Sequence, residues 1–267
     1  MKRNLDPYQK IEKKILTTED GMFVDAYSVR TLQPVKNKEG IWSEKWMPVG
    51  SPVSKNYLLV ENSVVRDTVE EVGNRTGWNF KPSRTFFNGK SFMYTMDTED
   101  VCADIQVNDP VSLGIGAWNS YDGSKAFNMF MYVNRLICLN GMLSKTMFNS
   151  FRFRHTIENE NWHDDVNDAF AYIHSGANRL QEWVTGAQAL LKPLHMDDLE
   201  QIRTTYIDKL PVGTYGKVLD QFYKEDDRTG WSFLNAGTNV LWHSETPTVS
   251  MYEQNSQFTD GMLEYAN

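Results

Sequence analysis

Cysteine is nearly missing from this chain: Cys102 and Cys138 are the only two in 267 residues. Two cannot staple a scaffold, and without a C-x-x-C pair they cannot build a structural zinc site. Both read as small, buried strand residues, and their scarcity predicts a reducing, cytoplasmic compartment. Long apolar runs are missing too. Asn, Gly and Ser interrupt every uncharged stretch well before the ~20 residues of a membrane span. The opening Met1-Lys2-Arg3-Asn4-Leu5-Asp6 has no apolar signal core, so neither a leader nor a membrane partner is expected. The histidines (His155, His163, His174, His195, His243) show neither H-x-x-x-H nor H-E-x-x-H spacing. Gly213-Thr-Tyr-Gly216-Lys217-Val218 is too short for a phosphate loop and lacks its magnesium-holding hydroxyl. Gly114-Ile-Gly116 lacks the third glycine of a dinucleotide site, and no G-x-S-x-G elbow occurs. The expectation is a protein without cofactor, metal site or catalytic set. Two enzymatic leads are weaker than their plain readings. Trp162-His163-Asp164-Asp165 reads as the polar start of a helix, where carboxylates suit the helix dipole. Glu12-Lys13-Lys14 is half of a nuclease motif without its strand-borne aspartate.

What is present is ordinary globular chemistry, with mean hydropathy −0.52 and a net charge of −8. Residues 1–60 read as an N-terminal arm or lid. They hold a strand over 22–30, then a loop-rich stretch punctuated by Pro34, Pro48 and Pro52, packed on a neighbour by Trp42 and Trp46. Residues 61–157 read as an α+β core. Asn62 or Ser63 caps a helix carrying Val65, Val69 and Val72, with Gly73 and Gly77 at its end. Asn88-Gly89 predicts a type I′ hairpin between two aromatic-rich runs. Alternation over 101–107 and 111–118 predicts two more strands, and Gly114 and Gly116 leave one face bare for a close approach. A long strand over 126–139 follows, ended by Gly141, and Leu143, Met147 and Phe151 then recur at helical spacing. Residues 158–245 read as a helical region opened by one helix of some thirty residues, and 246–267 as a polar, mobile tail. The fold class is therefore α+β: an antiparallel sheet of four to five strands flanked by helices, with a helical C-terminal region.

Charge is informative by segment. No acidic residue lies between Asp122 and Glu158, and that window holds Lys125, Arg135, Lys145, Arg152 and Arg154 plus His155. It carries +5 and leaves −13 on the remainder. Phe148, Phe151 and Phe153 interleave the later charges. Cations along a backbone beside aromatic faces are what single-stranded nucleic acid requires. The competing reading is internal: Phe148 and Phe151 serve the core and Arg135 pairs with a carboxylate elsewhere.

Three segments carry a resemblance: Asn119-Ser-Tyr-Asp-Gly-Ser124, Val133-Asn-Arg-Leu-Ile-Cys-Leu-Asn-Gly141 and Phe153-Arg-His-Thr156, joined late in the chain by Ser232-Phe-Leu-Asn-Ala-Gly-Thr238. In order and spacing they resemble the phage/plasmid-like protein family, a domain of unknown function in bacteriophages and mobile elements. Tyr121 stands where His is common in that family, and Gly141 where Thr is common. The resemblance covers about residues 60–243 and implies a phage or mobile-element protein in a bacterial cytoplasm. The element order is similar to that of single-strand annealing proteins, which implies homo-oligomers around a basic groove. The leading expectation is thus a non-catalytic protein that binds single-stranded DNA and promotes annealing or recombination. Lys125, Arg135, Lys145, Arg152 and Arg154 would contact phosphate, and Phe153, Trp118 or His155 would stack on bases. The alternative is an interaction protein that inhibits or redirects a host factor such as a defence system.

Overall fold

The computed structural model describes residues 5–144, 150–153, 162–225, 227–243 and 249–267. The chain opens with a three-stranded antiparallel sheet of β1 (Ile11–Thr17), β2 (Phe23–Lys36) and β3 (Trp42–Pro48), in the order β1-β2-β3. The stretch expected to be loop is therefore largely strand. Pro34 is tolerated because β1 pairs with β2 only as far as Thr31, so β2 is an edge on that side at Pro34. Trp42 and Trp46 do not pack the sheet down: Trp42 is 61% exposed. Val29 and Val49 do so, clustering with Val53 and Tyr121.

Helix α1 (Asn62–Arg75) buries Val65, Val69 and Val72 fully and leads into the larger sheet. Its strands are β4 (Lys81–Phe87), β5 (Ser91–Gln106), β6 (Asp109–Ser120), β7 (Phe127–Arg135), β8 (Asn140–Met142) and β9 (Phe151–Phe153). They run antiparallel in the order β4-β5-β6-β7-β8, and β9 also pairs with β7. The Asn88-Gly89 hairpin forms, but only Gly89 takes a positive φ, at 93°. Asn88 instead accepts the Lys90 and Ser91 N–H groups on its side-chain oxygen, so the turn is not type I′. The long strand expected over 126–139 stops at Arg135, and Phe151, expected on a helix, lies in β9.

The period-two pattern of the strands divides the sheet into two faces. Phe92, Tyr94, Ile115, Ala117, Phe127, Met129, Met131 and Val133 join the main core, with α1 and α3 (Gly176–Gln188) against that face. Met93, Phe130 and Tyr132 point the other way and meet Trp242 and Tyr252. The bare face left by Gly114 and Gly116 is filled from within its own sheet. A Cβ on Gly116 would lie 2.7 Å from the Phe130 ring, and the Tyr132 ring covers Gly114. Rings on β7 thus lie across the backbone of β6.

The rest is helical: α2 (Trp162–His174), α3, α4 (Met196–Gln201), α5 (Val212–Phe222), α6 (Gly230–Trp242) and α7 (Val249–Ala266). The single long helix expected from 162 onward is two, broken at Ser175, whose hydroxyl donates to the Tyr172 carbonyl at 2.6 Å. The supposed polar, mobile tail is the longest helix of the described residues. Tyr252, Phe258 and Met262 are buried along it, and Asn255, Ser256 and Thr259 are buried between them. Small polar residues on its buried face lowered its apparent hydrophobicity. Both cysteines are exposed, correcting the buried reading: Cys102 alternates outward between Val101 and Ala103, and Cys138 lies in the turn after β7.

Candidate nucleic-acid interface

The segments that carried the family resemblance hold the fold together. Glu61 at the start of α1 gives no side-chain cap. The Tyr121 hydroxyl accepts the Asn62 N–H instead, at 3.1 Å, while Asn119 donates to the Val60 carbonyl and to Asn62 Oδ1. A tertiary contact therefore satisfies a helix terminus that its own sequence leaves open. Asp122 accepts the Ser124 N–H at 3.0 Å, closing the turn before β7. Burial opposes ionisation of Asp122, but hydrogen bonds from Ser124 and Ser120 and the Lys90 charge outweigh it and hold its carboxyl below the ordinary range. In the second segment Arg135 grips Asp109 with two bonds of 2.6 and 2.8 Å, and Asp109 also accepts Trp231 Nε1–H at 2.7 Å. Asn140 bonds to Asn239 and His243, and the Gly141 carbonyl accepts from Asn255. These bonds tie β7 and β8 to α6 and α7.

The acid-free window divides accordingly. Arg135 lies on the helix-side face, its side chain 16% exposed against 3% for Asp109, so it serves the internal ion pair and offers no phosphate contact. Phe153 is fully buried and stacked on Phe127 at 4.2 Å between ring centres, which leaves no face for a base. Both assignments as nucleic-acid contacts are corrected by burial. Lys145, Arg154 and His155 lie outside the described residues.

Trp118, Lys125 and Arg152 remain, and the structure brings them together. Trp118 pairs with Asn128 across β6 and β7, and Asn128 pairs with Arg152 across β7 and β9. Directly opposed residues share a face, so Trp118, Asn128 and Arg152 form one row across three strands on the face away from α1. Arg152 is exposed and has no ion pair among the described residues. Lys125, just before β7, forms an ion pair with Glu253 of α7, their side chains 37% and 43% exposed.

Trp118 and Asn128 of the row line a cavity of about 250 Å³ between β6, β7 and α7, together with Lys125, Phe130, Tyr252 and Glu253 among others. Trp118 stacks on Phe130 at 5.4 Å and meets Tyr252 edge-on at 4.3 Å. Burial pushes the Tyr252 hydroxyl up to about 12, so it stays protonated. Asn128, Tyr252 and Glu253 were missed from sequence. Tyr252 and Glu253 lie on α7, whose apolar residues show no unbroken helical repeat, and Asn128 carries no charge to single it out.

Glu12 pairs with Arg30 at 2.6 Å, and Asp164 and Asp165 occupy the first turn of α2. Among the described residues no three His, Cys, Asp or Glu side chains converge on a metal position, and no helix is long and apolar enough to cross a membrane.

Residues 50–259 match a family model described as a domain of unknown function, DUF932. Comparison with curated proteins and with solved structures finds no match to the chain.

Proposed function

We propose that this chain, which belongs to the DUF932 family, binds single-stranded nucleic acid on the outer face of its larger sheet. It would do so as a non-catalytic, homo-oligomeric phage or mobile-element protein that supports strand annealing or recombination. The row Trp118–Asn128–Arg152, with Lys125 beside it, carries the reading. A half-exposed aromatic, an amide and two cations on one face supply stacking, edge contacts and phosphate attraction together. Oligonucleotide titration monitored by fluorescence anisotropy at several salt concentrations tests it. Affinity should fall steeply with salt, and Arg152→Gln should weaken binding and reduce the salt slope by about one. Micromolar protein that binds no oligonucleotide at ~50 mM salt overturns the reading.

One observation favours a second reading, an interaction protein for a host factor. The three-stranded sheet lies ahead of the family match and exposes Ile41 (61%), Trp42 (61%) and Trp46 (37%) on and beside β3. Apolar exposure grouped on an appended element marks a contact surface. Stoichiometric capture of one host protein, lost on deleting residues 1–48, with no nucleic-acid affinity, would support it.

A further inference from the structure

We propose that the cavity between β6, β7 and α7 is a nucleobase site, and that Glu253 competes with the incoming phosphate for Lys125; this rests on the single-strand reading above. The cavity is about 250 Å³, room for one planar heterocycle, and three rings line it, of which Trp118 is the partly exposed one while Phe130 and Tyr252 lie buried against it. An aromatic wall receives any base by its π-face. Asn128 stands on the same lining and makes a single weak bond, Nδ2 to the Ala126 carbonyl at 3.3 Å. Its side-chain oxygen has no partner among the described residues and suits the polar edge of a base. Lys125 and Glu253 sit on the lining too, both partly exposed, so a cation stands within one nucleotide's reach of the aromatic wall. Arg152 continues that charge along the row.

The recess lies between a sheet and a helix, so only an unpaired base can enter it. The geometry therefore selects single strands over duplex. It also makes the Lys125–Glu253 pair part of the binding equilibrium. A phosphate reaching Lys125 must displace the carboxylate or share the cation with it, and the carboxylate repels it in either case.

The test compares three fluorescein-labelled 20-mers, oligo-dT, an abasic strand of the same length and a duplex, on wild type, Glu253→Gln and Lys125→Gln. Far-ultraviolet circular dichroism confirms that each variant is folded; both changes replace partly exposed side chains. Oligo-dT should bind at least about fivefold tighter than the abasic strand, given what base stacking contributes. It should also bind tighter than duplex. Glu253→Gln should tighten oligo-dT binding about two- to fivefold, the range an exposed ion pair controls, and Lys125→Gln should weaken it. Equal affinity for oligo-dT and the abasic strand overturns the base site while leaving the single-strand reading intact. Glu253→Gln binding no tighter than wild type overturns the competition. Failure of every strand to bind overturns the site and the reading it rests on.

Discussion

Arg135 sits in the basic window yet faces away from the row, so its replacement separates structural from binding charge. Arg135→Ala would leave Asp109, 2% exposed, with the Trp231 indole N–H as its remaining side-chain donor. Removing one partner of a buried, bidentate pair leaves an uncompensated charge and costs about 3–5 kcal/mol. Arg135 retains some solvent contact, with its side chain 16% exposed, so the lower end, ~3 kcal/mol, applies. For a chain of this size that is a fall in Tm of roughly 6–12 °C. Urea and thermal unfolding followed by circular dichroism measure it. The double variant Arg135→Met with Asp109→Asn should recover part of the loss, because neither charge then remains buried. Oligonucleotide affinity of the folded single variant should stay within about twofold of wild type, since no phosphate contact is removed. A loss below about 1 kcal/mol, together with lost nucleic-acid affinity, would refute the reasoning.

Gly141→Ala should destabilise by about 1–3 kcal/mol in urea unfolding, because the added Cβ would lie 2.5 Å from the Trp242 ring. Phe258→Ala should cost about 3–5 kcal/mol and weaken the near-ultraviolet dichroism, since Phe258 fills the space beside Phe233. Asp122 titrates below its ordinary value of 3.8 in the folded chain, so its contribution is complete above 3.8 and is lost as pH falls through the depressed folded value. Asp122→Asn should therefore lower stability at about pH 6, and the gap to wild type should narrow by about pH 3, in urea unfolding at the two pH values.

Where burial followed periodicity, the fold was legible. Val65, Val69 and Val72 marked α1, the alternations around Ile105 and Ile115 marked β5 and β6, and the α+β class followed from their order. Helix α7 was not legible by hydropathy because Asn255, Ser256 and Thr259 occupy its buried face, where Asn255 and Ser256 bond rather than merely fill space. The N-terminal sheet was obscured by prolines at places where pairing on one side has already ended. In the candidate site, charge located Lys125 and Arg152 but could not tell them from Arg135, whose Asp109 partner is 26 residues earlier in the chain. Only strand register separates them, by placing Arg135 on one face and Arg152 on the other. The same register aligned Asn128, a residue with no charge to draw notice, between Trp118 and Arg152.

Photocrosslinking tests the central claim most directly. Ultraviolet irradiation of the protein with oligo-dT, followed by mass spectrometry of the digested adducts, reports which side chains touch the bases. The account predicts adducts that fragment-ion sequencing places on Trp118, Phe130 or Tyr252 and none on Phe127. Adducts confined to the three-stranded sheet, or none from a saturated sample, would contradict it.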